Sequence, residues 1–223
     1  MALKTILSLG DCNTLGINEN HQNAYPEKFA QAINHPCLNC GYTMSTTREG
    51  KHFFNAFNHP NVSIITIQYG LVDSWSTFKY SPYVLYYPET FGRKIGRKIV
   101  KKYKKICKSL GLNSLFGTKK VVPLEEYIAN IEAIIQASTA TMIILIDTIP
   151  NKETYRNESI QHYNQALSQL AMRYKHCYKL DIYETFSKKM ELLYSDDTHM
   201  NDLGHQLVTQ KLVELYENSF SSL

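Results

Sequence analysis

Apolar runs with the length of strands alternate along the chain with segments whose apolar residues recur every three or four positions. The apolar runs are rich in β-branched residues and predict strands. These strands cover residues 4–9, 37–39, 62–69, 141–147 and 178–180. The periodic segments predict amphipathic helices. These helices cover residues 25–33, 46–57, 91–110, 124–137, 157–174 and 202–217.

This alternation of strands and helices predicts a parallel sheet covered by helices on both faces. The run at residues 141–147 is apolar almost throughout, as a strand buried on both faces must be. We therefore predict a flavodoxin-like three-layer α/β/α sandwich with a central parallel sheet of about five strands. Residues 1–223 are predicted to form one domain, in which an irregular aromatic segment and a basic helix around residues 74–122 are an insertion.

Two distant stretches carry the residues that a nucleophilic site needs. Residues 10–16 lead from the first strand into a glycine-flanked turn that presents Cys12, and such turns commonly hold a nucleophile. Near the other end of the chain, Asp196 precedes His199 by three positions. A thiol needs a base, and the base needs an acceptor that orients it. We therefore predict Cys12 as the nucleophile, His199 as the general base and Asp196 as its orienting carboxylate.

Sequence blocks in these and neighbouring segments follow one another in order on the predicted elements. They are Gly10-Asp11-Cys12-Asn13-Thr14-Leu15-Gly16, Asn39-Cys40-Gly41, Gly70-Leu71-Val72-Asp73, Tyr163-Asn164, and Asp196-Asp197-Thr198-His199 with Asn201, Gly204 and His205 behind it. In these blocks the chain resembles the SGNH (GDSL-type) hydrolase superfamily, with Cys12 in place of the family's nucleophilic serine. The resemblance covers nearly the whole chain and implies the three-layer fold and ester chemistry.

Three positions around the reacting atom depart from the family pattern. The first is Cys12, whose thiolate is intrinsically more nucleophilic than an alkoxide. The resemblance implies an oxyanion site formed by the backbone N–H groups of Cys12 and of Met44, where the family usually has glycine. The third position is Val72, where a family asparagine donates to the oxyanion and valine cannot. Asn13 is a candidate substitute donor.

The loops that follow the strands also supply candidates for substrate binding, which are Asp11, Gly70, Asp73 and Trp75. Trp75 begins an aromatic stretch whose rings suit the apolar faces of sugars, although a small satellite core is an equal alternative. The C-x-x-C pair of Cys37 and Cys40 lacks a second ligand pair, and we interpret it as two half-buried thiols. The predicted site uses no metal and no organic cofactor.

The expected reaction is ester hydrolysis or acyl transfer through a thioester on Cys12. The expected substrate is a small-molecule or glycan ester, with a carbohydrate ester favoured. Thioesters transfer readily to amines and hydroxyls, which favours acyl transfer slightly. Two alternatives of another class stay open. One is an inactive relative that binds a glycan or a lipid-linked glycan, and the other is an adaptor at a membrane surface.

The charge of the chain is uneven, because the net value of +4 hides a cluster of basic residues at 93–108. These are Arg93, Lys94, Arg97, Lys98, Lys101, Lys102, Lys104, Lys105 and Lys108. The cluster indicates contact with an anionic membrane or glycan surface, and a solvated helix face is the alternative. Nucleic acid is not expected, since no nucleic-acid-binding motif accompanies the charge.

No apolar run suits a membrane span or a signal peptide, which predicts a cytoplasmic protein, with peripheral membrane attachment left open. The oligomeric state is not predicted.

Overall fold

The computed structural model describes residues 4–220 of the chain. Its strands are β1 (Thr5–Gly10), β2 (Cys37–Gly41), β3 (Val62–Gln68), β4 (Ser76–Phe78), β5 (Thr118–Lys120), β6 (Met142–Ile146) and β7 (Cys177–Leu180). Five of them form a parallel sheet in the order β2-β1-β3-β6-β7. The prediction of a flavodoxin-like sandwich with a parallel sheet of this size is confirmed.

Helices connect these strands and cover the sheet. They are α1 (Cys12–Leu15), α2 (Tyr25–Ala32), α3 (Thr47–Phe57), α4 (Phe91–Ser109), α5 (Leu112–Phe116), α6 (Leu124–Ala137), α7 (Asn157–Arg173), α8 (Tyr183–Lys188), α9 (Met190–Leu193) and α10 (Asp202–Phe220). Short 3-10 turns at Asn18–Asn20 and Thr154–Arg156 complete the described structure.

The two faces of the sheet bury separate apolar cores because side chains alternate along each strand. On β1, Leu7 and Leu9 face a core that also contains Phe53 of α3 and Ile131 of α6. Ile6 faces the opposite core, to which β3, β6 and the helices α2 and α10 contribute. The sheet therefore lies between two helical layers, and every residue of β1, β3 and β6 is buried.

The strand order reverses at β1, which lies between β2 and β3. In open parallel sheets, ligands bind beyond the carboxyl ends of the strands at such a reversal. Cys12 begins α1, one residue beyond the end of β1. The backbone N–H of Tyr42, just after β2, donates to the carbonyl of Gly10 at 3.2 Å. The fold thus places the predicted nucleophile at the position where ligands gather in this architecture.

Short elements differ from the sequence prediction. Residues 10–16 were expected to be a loop, but they contain α1, where Asp11 accepts a hydrogen bond from the N–H of Asn13 at 2.9 Å. Residues 75–88 were expected to be irregular, but they contain β4, which pairs antiparallel with β5. Elements of three or four residues are too short to show a period in the sequence.

Cys37 and Cys40 lie three residues apart on β2, and their side chains point to opposite faces of the strand. The Sγ atom of Cys37 lies 4.0 Å from the Oγ atom of Ser8. Cys40 packs into the core beneath α3. Burial raises the pKa of each thiol to about 12. The two residues are separate, protonated core thiols.

The close approach between β2 and α1 can be tested at Gly41, the last residue of β2. A Cβ atom at this position would lie 2.1 Å from the backbone nitrogen of Leu15. Because both partners are backbone, Gly41→Ala should lower the free energy of unfolding by roughly 1–3 kcal/mol, measured by urea denaturation. Gly92→Ala is the control, since nothing lies within 4 Å of its Cβ. An unchanged stability of Gly41→Ala would contradict this packing.

Candidate active site

Cys12, His199 and Asp196 form a hydrogen-bonded line across the carboxyl edge of the sheet. The Sγ atom of Cys12 lies 3.1 Å from Nε2 of His199. Nδ1 of His199 lies 2.7 Å from Oδ2 of Asp196. The Cys12 side chain is nearly buried, whereas about half of the Asp196 side chain is exposed, at 49%. The structure therefore brings all three predicted residues together, in the order that a nucleophile, a base and an orienting carboxylate require.

The loop that carries His199 is held in shape by Asp196 itself. Oδ1 of Asp196 accepts hydrogen bonds from the N–H groups of Thr198 at 2.7 Å and of His199 at 2.8 Å. Burial of this carboxyl works against its ionisation, but the hydrogen bonds from His199 and the backbone outweigh it. The pKa of Asp196 therefore lies below its ordinary value. An ionised Asp196 fixes the proton of His199 on Nδ1 and leaves Nε2 as the acceptor that faces Cys12.

Asn13 ties the nucleophile helix to the histidine loop with both ends of its amide. Its Nδ2 donates to the carbonyl of Thr198 at 3.2 Å, and its Oδ1 accepts from the N–H of Met200 at 3.0 Å. These two bonds flank His199 on either side in the sequence. Asn13 was predicted as a substitute oxyanion donor, but its amide is engaged in this contact. We therefore assign it a positioning role.

A second support for the histidine loop comes from the segment after β6, and sequence reasoning missed it. Asn151 Nδ2 donates to Oγ1 of Thr198 at 3.1 Å, and the N–H of Lys152 donates to the carbonyl of Asp197 at 2.9 Å. Asn151 is itself buried and bonded to Asn157. Only its position just after a buried strand pointed to it. The carbonyl of Asp197 joins this support, while the carboxylate of Asp196 orients the histidine.

Cys12 is a protonated thiol in the resting protein. Burial and, secondarily, the neighbouring Asp11 carboxyl raise the pKa of the Cys12 thiol well above its ordinary value. Burial likewise raises the pKa of Asp11 to about 7. Burial therefore disfavours a stable thiolate–imidazolium pair in the resting protein.

A groove of about 540 Å³ lies on the Val72 side of the site, and Cys12 is not among the residues that line it. Cys12 packs with Leu71 and Ile160, and the residue after Leu71, Val72, lines the groove together with Met44 and Trp75. The opposite walls come from the aromatic segment and from α4. They include Tyr83, Val84, Tyr86, Lys94, Arg97 and Lys101. The groove is thus apolar at its base and basic along one side.

Glu49 of α3 anchors the aromatic wall of this groove. Its carboxylate is buried and accepts hydrogen bonds from the Tyr83 hydroxyl at 2.9 Å and from the N–H of Tyr86 at 2.7 Å. It also bonds the backbone and the hydroxyl of Thr46 at the start of the same helix. One buried carboxylate therefore joins the aromatic wall to α3.

Comparison with protein families identifies the family of the chain. The model of the GDSL-like lipase/acylhydrolase family matches residues 8–207 of the chain. The chain belongs to this family. The match includes Cys12 and extends through Asp196 and His199. No curated protein matches the chain in sequence.

Solved structures of GDSL-type and related enzymes share the architecture. The lipase/acylhydrolase from Enterococcus faecalis superposes with a TM-score of 0.66 at 14% identity, covering 97% of each chain. A catalytic mutant of an acetylxylan esterase from Geobacillus stearothermophilus superposes with a TM-score of 0.63 at 16% identity. That match covers 95% of this chain and 93% of the esterase. At these identities the likeness shows the shared fold.

Three of the four predicted substrate-binding residues are buried inside the protein. Asp11 is buried and caps α1. Asp73 is fully buried and accepts hydrogen bonds from the N–H of Thr47 at 3.0 Å and from its hydroxyl at 2.7 Å. Gly70 has a φ of 135°, and a Cβ there would lie 2.5 Å from Oγ1 of Thr148. Burial therefore contradicts a direct contact of Asp11, Gly70 or Asp73 with substrate.

The fourth candidate, Trp75, lies at the groove. It is half-buried and lines the groove on the side of Val72. The guanidinium of Arg156 lies 4.9 Å from the centre of the Trp75 ring. One part of the indole is therefore engaged by a cation, and a ligand in the groove would meet the rest.

Met44 occupies the backbone conformation that favours glycine. Its φ is 64°, in the left-handed region where a Cβ atom is strained. This agrees with the family glycine expected at this position. The Met44 backbone keeps the glycine-like conformation while its side chain adds apolar surface to the groove.

The buried Asp73 gives the protein a pH-dependent stability. Burial raises the pKa of Asp73 to about 7, and its Oδ2 atom is buried without a hydrogen-bond partner within the described residues. The folded state therefore binds more protons than the unfolded state between pH values of about 4 and 7. The contribution of Asp73 to the free energy of unfolding should fall as the pH rises through this window, and the lowered pKa of the buried His205 acts in the opposite direction.

Asp73→Asn should make this fall smaller, because an amide keeps an acceptor for Thr47 and carries no charge. Urea denaturation at several pH values measures the slope. Part of the slope should remain in Asp73→Asn, because the pKa of Asp11 is also raised to about 7. Asp197→Asn makes the same replacement at an exposed carboxylate and is the matched control. Equal slopes for the wild type and Asp73→Asn would show that Asp73 ionises freely.

Proposed function

We propose that the protein is an ester hydrolase or acyltransferase that works through a covalent thioester on Cys12. The single observation that supports this most is the hydrogen-bonded line from Sγ through the imidazole to Asp196, with steps of 3.1 Å and 2.7 Å. Membership of a family of lipases and acylhydrolases supports the ester class. The buried neutral thiol requires the base that this line provides.

In the proposed reaction, Sγ of Cys12 attacks the ester carbonyl carbon while Nε2 of His199 takes the thiol proton. The imidazolium that forms is stabilised by the ionised Asp196. The tetrahedral intermediate collapses with cleavage of the C–O bond, and His199 returns the proton to the leaving alcohol. A water molecule or an acceptor hydroxyl then attacks the thioester, with His199 again as the base. This second step regenerates the Cys12 thiol.

The oxyanion of the tetrahedral intermediate would be stabilised by hydrogen bonds from backbone N–H groups alone. Cys12 begins α1 and Met44 has the glycine-like backbone, so these two N–H groups are the candidate donors. Val72 has no donor in its side chain, and the amide of Asn13 is engaged with the histidine loop. Loss of one such donor typically costs about 3 kcal/mol of transition-state stabilisation. A thioester route lessens this loss, since the thiolate is the stronger nucleophile.

A carbohydrate ester is the substrate that we favour. The groove has aromatic side chains on one wall, and aromatic rings pack against the apolar faces of sugars. The similarity in fold to an acetylxylan esterase is in keeping with this choice. The basic wall formed by α4 suits a substrate that carries an anionic group.

Hydrolysis of p-nitrophenyl acetate by matched variants tests the proposed nucleophile. Cys12→Ala should reduce turnover to the buffer rate, and His199→Ala should reduce it by about a thousandfold or more. Cys177→Ala, at another buried thiol, should leave the rate unchanged. Mass spectrometry of the quenched wild-type reaction should find one acetyl group on the peptide that contains Cys12. Normal turnover by a folded Cys12→Ala variant would refute the covalent route.

A second candidate function is glycan binding without catalysis. It is favoured by the combined changes at Val72 and Met44 and by the high pKa of the Cys12 thiol. In this case Asp196 and His199 would persist as structural partners. The two candidates differ in whether the site responds to a restored oxyanion donor.

Val72→Asn restores the side-chain amide that the family uses. If the site is catalytic, this variant should raise the turnover of p-nitrophenyl acetate by roughly tenfold to a hundredfold. Val72→Leu fills the same buried position without a donor and is the matched control. Circular dichroism checks that both variants fold. No turnover in the wild type, Val72→Asn or Cys12→Ser would favour the binding function over catalysis.

A further inference from the structure

The exposed apolar side chains of the described residues are concentrated in and around α4 and α5. Among the described residues, fourteen large hydrophobic side chains are exposed, and nine of them lie between positions 80 and 116. The most exposed within this cluster are Phe91 at 81%, Leu115 at 73% and Leu110 at 66%. Scattered single exposures need no explanation, but a contiguous apolar patch marks an interaction surface.

Helix α4 provides most of this patch because its isoleucine stripe points away from the domain. Ile95, Ile99 and Ile106 are exposed at 42%, 64% and 47%. The face that packs against the domain carries Cys107, which is buried, and Val100, which is partly buried. The helix therefore presents to solvent the residues that an ordinary surface helix would bury.

The same helix is strongly basic. It carries nine lysine or arginine residues and no acidic residue. Lys102, Lys105 and Lys108 are exposed and lie outside the groove lining. At the helical repeat of 100° per residue, Lys98 and Lys102 lie beside the isoleucine stripe and the other basic residues occupy the opposite face of the helix. An exposed apolar stripe with a basic face behind it is the pattern of a helix that lies in a membrane interface.

The charge of α4 discriminates between the possible occupants of this surface. A second copy of the chain would bring two such helices together, and their like charges would repel. A nucleic acid would pair with the lysines but would leave the isoleucine stripe in water. An anionic bilayer satisfies both features, since its headgroups pair with lysine and its acyl region accepts the apolar side chains. We propose that α4 and α5 dock the protein on the surface of an anionic bilayer.

The geometry fits attachment to one leaflet. None of the helices in the described residues has the length and apolar character needed to cross a bilayer. Helix α4 spans 19 residues, and its charges along the whole length require that it lie flat on the surface. Phe116 and Leu115 of the following short helix extend the apolar patch beyond the end of α4.

Docking through the stripe would leave the groove open. Lys94, Arg97 and Lys101 line the groove from the face of α4 opposite the isoleucine stripe. Contact of the stripe with lipid would therefore not cover the groove. The docking does not rest on the proposed ester chemistry.

Co-sedimentation with vesicles tests the docking. The full chain should bind vesicles of phosphatidylcholine with phosphatidylglycerol and should bind pure phosphatidylcholine vesicles far more weakly. Lys102→Glu, Lys105→Glu and Lys108→Glu together should weaken the binding to anionic vesicles by roughly a hundredfold or more. The control is the same charge change at exposed lysines elsewhere, in Lys175→Glu, Lys188→Glu and Lys189→Glu, which should bind more tightly than the α4 variant.

The apolar stripe is tested separately. Ile99→Ser, Ile106→Ser and Leu110→Ser together should weaken binding to the same vesicles by roughly tenfold or more. Met172→Ser, Leu192→Ser and Leu203→Ser remove exposed apolar side chains elsewhere and should have little effect. Circular dichroism checks that each variant is folded. Cys12→Ala should bind as the wild type does, so that a failure of the ester chemistry leaves the docking result intact.

Three outcomes would overturn the proposal. The first is that the wild type fails to bind anionic vesicles. The second is that the α4 variants bind as tightly as their matched controls. The third is that sedimentation velocity finds a wild-type dimer that the serine variant dissociates, which would assign the stripe to a second copy of the chain.

Discussion

The pair of hydrogen bonds made by the amide of Asn13 is the contact on which the site depends. Cys12 and His199 lie 187 positions apart in the chain, and the pairing of the sheet alone does not set their distance. Asn13 bonds the backbone of Thr198 and of Met200, on both sides of the histidine. The two loops are therefore fixed relative to each other through a residue next to the nucleophile, and the 3.1 Å contact follows.

The electrostatics beneath this contact favour neutral forms. Asp11 and Asp73 are buried acids, and burial raises the pKa of each to about 7. Burial also raises the pKa of the Cys12 thiol above its ordinary value. In contrast, the half-exposed Asp196 keeps a pKa below its ordinary value. The permanent charge of the site thus lies at its outer, solvated end. A proton can move from sulfur to imidazole only when a substrate accepts the developing charge on sulfur.

Much of this arrangement could be predicted from the sequence, because it depends on long periodic segments and on blocks with a fixed order. The strands and long helices, the Cys12 turn and the spacing of Asp196 and His199 are of this kind. The buried roles of Asp11 and Asp73 could not be predicted, since a polar residue after a strand can point into the loop or beneath it. The orientation of α4 was likewise hidden. Its apolar stripe was evident in the sequence, but only the packing shows that the stripe faces solvent.

Residues 75–109 contribute both to the groove beside the candidate site and to the exposed apolar stripe of α4. Glu49 holds the aromatic segment against α3, and this segment faces α4 across the groove. A helix with nine basic residues can pack against the domain only if its charges stay near solvent. Lys104 is partly buried, and this burial lowers its pKa. Turning the isoleucines inward would bury the apolar stripe but would also swing the basic row out of the groove. The observed orientation therefore keeps the cations of α4 at the groove and leaves an apolar face exposed, which in our proposal a bilayer covers.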